Sequence, residues 1–147
     1  MKKFVAAVAL LLLAACSSSG SMISTWEEAY GANFPGPEPG KAALYLVRDT
    51  APEGAPPINI SIGRRPVGGL AGLTWMRFDL APRLYDIRAF GVQASSEQII
   101  TVAPGETRFI QVQPNGTGTE ILEISKLDGR RLVRQGQHTM EMGTPPP

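Results

Sequence analysis

Between residues 41 and 126 the apolar side chains fall in short runs that recur about every ten positions and break at Pro, Gly or Asn. The runs follow a period of two more clearly than any helical period. They predict strands over 42–48 (AALYLVR), 58–62 (INISI), 65–70 (RPVGGL), 74–80 (TWMRFDL), 84–90 (LYDIRAF), 96–102 (SEQIITV), 107–113 (TRFIQVQ) and 118–126 (GTEILEISK). A short ninth strand is expected at 131–135, after an Asp128-Gly129 turn. Seven to nine short strands predict an all-β domain over 41–136, an antiparallel β-sandwich with no helix of any length.

Turn chemistry adds a predicted register. Asn115-Gly116 suits a type I′ turn, which sets Arg108 opposite Glu123, Phe109 opposite Leu122 and Ile110 opposite Ile121. Pro104-Gly105 suits the centre of a type II turn and places Ile100 across from Phe109. A two-residue loop at Pro82-Arg83 would oppose like charges, whereas a loop from Leu80 to Arg83 pairs Arg77 with Asp86 and Trp75 with Arg88. In that register Trp75, Arg77, Asp86, Arg88 and Phe90 share one outward face, and an aromatic flanked by arginines has the composition of a protein-interaction surface. The alternative is that a second sheet or the preceding tether covers this face and Trp75 belongs to the core.

The chain begins MKKFVAAVALLLLAACSSSG, with two lysines ahead of an apolar run from Phe4 to Ala15 that is too short for the ~20 residues of a spanning helix. This is the pattern of a signal peptide over residues 1–15. Its end, Leu13-Ala14-Ala15-Cys16, resembles a bacterial lipobox at every position. The resemblance implies cleavage before Cys16 and acylation of its thiol and new amine. At ~0.8 kcal/mol per buried methylene, the acyl chains would hold the protein firmly to a membrane. Ser17 in second mature place implies, by the same resemblance, the periplasmic face of the outer membrane, with the inner membrane as the alternative. Residues 16–40 read as a flexible tether reaching ~27 Å on average, and 137–147 as a disordered tail. Inside the tether, Ser24 or Thr25 with Glu27 or Glu28 fits a capping box for a single helical turn, and Gly31 supplies a stop.

Charge and candidate chemistry narrow the function. Removing Lys2 and Lys3 leaves 12 of the 14 basic side chains against 13 acidic ones, a balance that offers nucleic acid no footprint. Cys16 is the only cysteine, so neither an internal disulfide nor a Cys-based metal site is expected. The single histidine, His138, reads as a surface residue, and no Gly-x-Ser-x-Gly turn is present. GPEPGKA (36–42) is a poor phosphate loop, because Pro37 and Pro39 lack backbone donors and Ala42 has no hydroxyl for magnesium. No cofactor, metal or catalytic residue is predicted.

The run from Ile58 to Val112 contains a Gly63-Arg64-Arg65 turn, Val67-Gly68, Pro82-x-x-Tyr85, and Pro104-Gly105-Glu106 ahead of a Phe-containing strand. In these turn and strand positions it resembles PEGA-type and related sandwich domains of bacterial lipoproteins of unknown function. The literal Pro52-Glu53-Gly54-Ala55 precedes it and reads as a loop delivering the chain into the strand at 58. Together these features lead to the expectation of a lipid-anchored, non-catalytic structural or interaction module of the periplasmic envelope. Its partners would be the membrane, through acyl chains on Cys16, and another envelope protein or cell-wall material. The alternative is a carrier of a small apolar ligand in a pocket between two sheets, which a cavity of several hundred cubic ångströms would favour.

Overall fold

The computed structural model describes residues 25–91, 94–116 and 118–139. Eight predicted strands form, each within two residues of its expected bounds. They are β1 (Ala42–Arg48), β2 (Ile58–Ile62), β3 (Arg65–Leu70), β4 (Thr74–Leu80), β5 (Leu84–Phe90), β6 (Ser95–Thr101), β7 (Thr107–Asn115) and β8 (Gly118–Ile124). With β9 (Gln137–His138) they build a larger sheet ordered β8-β7-β1-β4-β9 and a smaller one ordered β3-β2-β5-β6, in a sandwich-like arrangement.

The pairing departs from the predicted one in three ways. First, the larger sheet is mixed, because β1 runs parallel to β7 and β4 parallel to β9, while the smaller sheet is antiparallel throughout as expected. Second, the chain changes sheet between β4 and β5 and again between β6 and β7, so neither expected hairpin exists. β4 pairs with β1, while β5 pairs with β2 and β6. The Pro104-Gly105 turn does form, with Gly105 at φ +77° and the Glu106 N–H donating to the Ala103 carbonyl at 3.2 Å, but it carries the chain across the sandwich. Third, the β7–β8 hairpin closes one residue later, pairing Asn115 with Gly118 and Ile110 with Glu123. Arg108 still meets Glu123 diagonally, its Nε donating to Oε1 at 2.8 Å.

β1 explains the layering. AALYLVR is apolar at every position but the last, and every residue of it is buried. Such a strand needs cover on both faces. Ala42, Leu44 and Leu46 point into the core between the sheets, with Ile60, Ile62, Met76, Phe78, Ile87, Ile110 and Val112. Ala43, Tyr45 and Val47 point the other way, into a second cluster with Trp75, Phe109, Leu132 and Val133.

Two helices cover that second face, and the one within 41–136 corrects the expectation of a domain without helices. α2 (Lys126–Gln135) replaces the ninth strand expected at 131–135. Ser125 caps it, its Oγ accepting from the Asp128 N–H at 3.1 Å, so Asp128-Gly129 is the first helical turn and not a hairpin. Gly129 lets the helix lie against the sheet: a Cβ there would stand 2.2 Å from Phe109 Cγ. α1 (Thr25–Ala32) is longer than the single turn expected. Its Gly31 carbonyl accepts from the Tyr45 hydroxyl at 2.9 Å, and Phe34 packs on Tyr45 and Phe109. Residues 25–40, read from the sequence as part of the flexible tether, are therefore seated on the domain. At the other end Gln137 and Thr139, expected in the disordered tail, donate backbone hydrogen bonds to Leu73 and Trp75. The signal peptide, Cys16, the tether up to residue 24 and the tail from residue 140 lie outside the described residues.

Candidate functional site

The structure divides the expected interaction face. Trp75 and Arg77 lie on the helix-covered side of the larger sheet, while Asp86, Arg88 and Phe90 lie on the outer side of the smaller one. They never form one surface, because β4 and β5 are not neighbours. Trp75 is core, as in the alternative reading: it is 1% exposed, beneath Gly31 and against Tyr45 and His138, whose ring centroid is 4.5 Å away. Arg77 donates from Nη1 to Asp79 Oδ2 at 2.9 Å and lies over the Tyr45 ring. Burial works against its charge, but the hydrogen bond and charge of Asp79 outweigh that, and its pKa is raised. Arg77 Nη2 also donates to the Gly36 carbonyl at 3.3 Å and the guanidinium lies over the Tyr30 ring, which ties α1 and its loop to the sheet. On the smaller sheet Arg88 pairs with Asp86 at 3.4 Å and Glu97 at 3.2 Å, and Phe90 is 45% exposed. His138 in β9 and the pair Ser95 and Glu97 in β6 belong to different sheets and do not converge.

A different site emerges at one end of the sandwich. There an open cleft of about 320 Å³ is lined by Arg48 at the end of β1, by Pro52, Ala55, Pro56 and Pro57 of the following loop, by Gly91 after β5, and by Pro114 and Thr119 of the β7–β8 hairpin. The loop contains the literal PEGA letters. Gly54 at φ +74° and the Ala55 N–H donating to the Pro52 carbonyl at 3.0 Å fold it into a turn. It does deliver the chain into β2, and its proline rings also wall the cleft with apolar surface that has no N–H to offer.

Arg48 is the unusual group in this wall. It is 3% exposed, and its Nη1 spends both hydrogens on backbone carbonyls, Pro56 at 3.0 Å and Leu70 at 2.8 Å. Its Nε is buried without a hydrogen-bond partner. Arg77, Arg88 and Arg108 each face a carboxylate, yet no acid among the described residues lies within ion-pair distance of Arg48. Desolvation alone pulls its pKa down from the ordinary arginine value. A buried cation without a counter-ion costs several kcal/mol of lost hydration, and two neutral carbonyls return only part of that. A second polar group on the same wall, Thr119 Oγ1, is also buried without a partner. Gly91 makes room for it, since a Cβ at residue 91 would stand 2.3 Å from that oxygen.

One fixed positive charge and one hydroxyl sit among apolar surfaces, and the described lining residues include no carboxylate, thiol or imidazole that could move a proton or attack a substrate. No protein-family model matches the chain, and no curated protein matches it in sequence. Sequence reasoning passed over Arg48 and Thr119. The available signal for Arg48 was the run AALYLVR itself, a strand apolar on both faces that ends in a charge.

Proposed function

We propose that this protein is a lipid-anchored, non-catalytic binding module of the bacterial envelope, held by acyl chains on Cys16 at the periplasmic face of a membrane, and that the Arg48 cleft is its recognition site. The observation that carries the reading is Arg48 itself, a buried guanidinium with no counter-ion among the described residues, in the wall of an open apolar cleft. Natural structures retain a buried charge where it is paired or used, because leaving it unpaired destabilises the fold. The cleft lies at the end of the sandwich instead of between its sheets, so the reading is closer to the small-ligand alternative than to a purely structural module. The likeness to PEGA-type lipoprotein domains and the lipobox supply the envelope context.

The second reading, a protein-interaction module, is favoured by Leu84, Phe90 and Ile99, whose apolar side chains are exposed on the outer face of the smaller sheet. Native mass spectrometry of the full chain extracted from its own membranes separates the two. A small molecule carried by the wild type and absent from Arg48→Met supports the cleft. Release of bare protein from both, with a protein partner lost on Phe90→Ala, overturns it in favour of the sheet face. In the same cells Cys16→Ala moves the protein out of the membrane fraction, and an unchanged distribution and N-terminal mass overturn the anchor.

A further inference from the structure

Resting on the reading of the cleft as a recognition site, the geometry points to a monocarboxylate carried on a compact apolar body of about ten carbon atoms as the ligand class. Charge fixes the head group. The described lining residues include one cation and no acid, so a single negative charge neutralises the site, whereas a dianionic phosphate would bury an unmatched charge beside it. Nη1 is committed to the carbonyls of Pro56 and Leu70, and these bonds lock the guanidinium plane. The Nη2 and Nε hydrogens remain, and together they form the edge that grips a carboxylate through two parallel bonds. Nε is closed to water as the cleft stands, so the second of these bonds forms only as the lining around it gives way to the entering carboxylate. Thr119, which also lines the cleft, carries a buried hydroxyl without a partner that the same adjustment would free as a further donor.

The walls fix the rest of the molecule. Pro52, Pro56, Pro57, Ala55 and Ile58 present carbon, which suits an alkyl or aromatic body and gives a peptide backbone few hydrogen-bond partners. The volume of about 320 Å³ is roughly twice that of a ~150 Å³ apolar cavity known to accept one benzene, which sets the size near two fused rings.

Isothermal titration of the full chain in detergent micelles, referenced to the same micelles without protein, tests this with 2-naphthoate, 2-naphthol and 2-naphthyl phosphate. The expected result is saturable 1:1 binding of 2-naphthoate, at least about tenfold tighter than either of the others. Arg48→Met should reduce the naphthoate affinity to that of naphthol, and Thr119→Val, which leaves the arginine in place, should weaken it about threefold to tenfold. Arg48→Lys keeps the charge but loses the two-pronged edge, and should fall between the wild type and Arg48→Met. Equal binding of acid and alcohol overturns the carboxylate assignment and leaves the cleft as a site. Tighter binding of the phosphate overturns the single-charge argument. No saturable binding of any probe overturns the cleft reading as well.

Discussion

Replacing Gly129 by Ala sets two effects of known sign against each other. In an isolated helix the change would stabilise α2 by ~1 kcal/mol, because alanine loses less backbone entropy. Here the new Cβ would lie 2.2 Å from Phe109 Cγ and 2.3 Å from Cδ1, against the ~3.5–4.0 Å at which carbon atoms rest. The ring has nowhere to go. Phe109 is 1% exposed and stacked on Tyr45 with centroids 4.8 Å apart, while Tyr45 is tied to Gly31 through its hydroxyl. The helix must therefore lift by more than about 1 Å, loosening Leu132 and Val133 from the second core. Overpacking costs ~1–3 kcal/mol, and contacts this far inside van der Waals range fall in the upper part, ~2–3 kcal/mol, so after the ~1 kcal/mol gain in helix propensity a net loss of ~1–2 kcal/mol is expected. Urea unfolding of the full chain in micelles, followed by tryptophan emission, should show a lower midpoint with an unchanged slope. The double variant Gly129→Ala with Phe109→Leu should lose less than the sum of the two single changes, because they share one contact. A Gly129→Ala protein as stable as the wild type, or more so, would refute the view that α2 is pressed against the sheet at this glycine.

Gly31→Ala should loosen α1 for the same reason, since its Cβ would meet Trp75 Cη2 at 2.4 Å; faster hydrogen exchange over 28–34 with unchanged exchange in β2 and β5 is expected, and unchanged exchange throughout would argue against a seated α1. Arg48→Met should leave stability within ~1 kcal/mol of the wild type or raise it, because an unpaired buried charge is exchanged for an apolar chain of similar length. A loss above ~3 kcal/mol in thermal or urea unfolding would mean that Arg48 serves the fold through Pro56 and Leu70.

Strand positions were legible in the sequence because they depend on local alternation and on turn residues, and β1 to β8 carry both. Their partners were not. Matching Arg77 with Asp86, or Ile100 with Phe109, satisfied the charge and apolar rules for neighbouring strands, but those rules do not register that β4 and β6 each precede a crossing to the other sheet. Pairing across a sandwich is decided by how two faces bury together, and β1 was the clue: a strand apolar on both sides belongs in the middle of a sheet that is covered twice. α2 was hidden by Asp128-Gly129, which resembles a hairpin turn. Ser125, three residues before Asp128, carried the competing signal of a helix cap. The expected site failed with its register, since the face shared by Trp75 and Arg88 required a hairpin that does not exist. Arg48 and Thr119 reach one cleft from β1 and β8, far apart in sequence; AALYLVR marks Arg48 as a charge ending a doubly buried strand, but nothing local to either residue shows that they line the same site.

The account rests on the Arg48 guanidinium, which meets no counter-ion among the described residues, being held for an incoming carboxylate. Its Nε–Hε signal, resolved by ¹⁵N NMR in the full chain and assigned by its loss in Arg48→Lys, reports this directly. Addition of 2-naphthoate should shift that signal saturably as the second hydrogen bond forms, while 2-naphthol leaves it in place. An Nε–Hε signal that stays fixed while 2-naphthoate binds elsewhere on the protein would contradict the assignment.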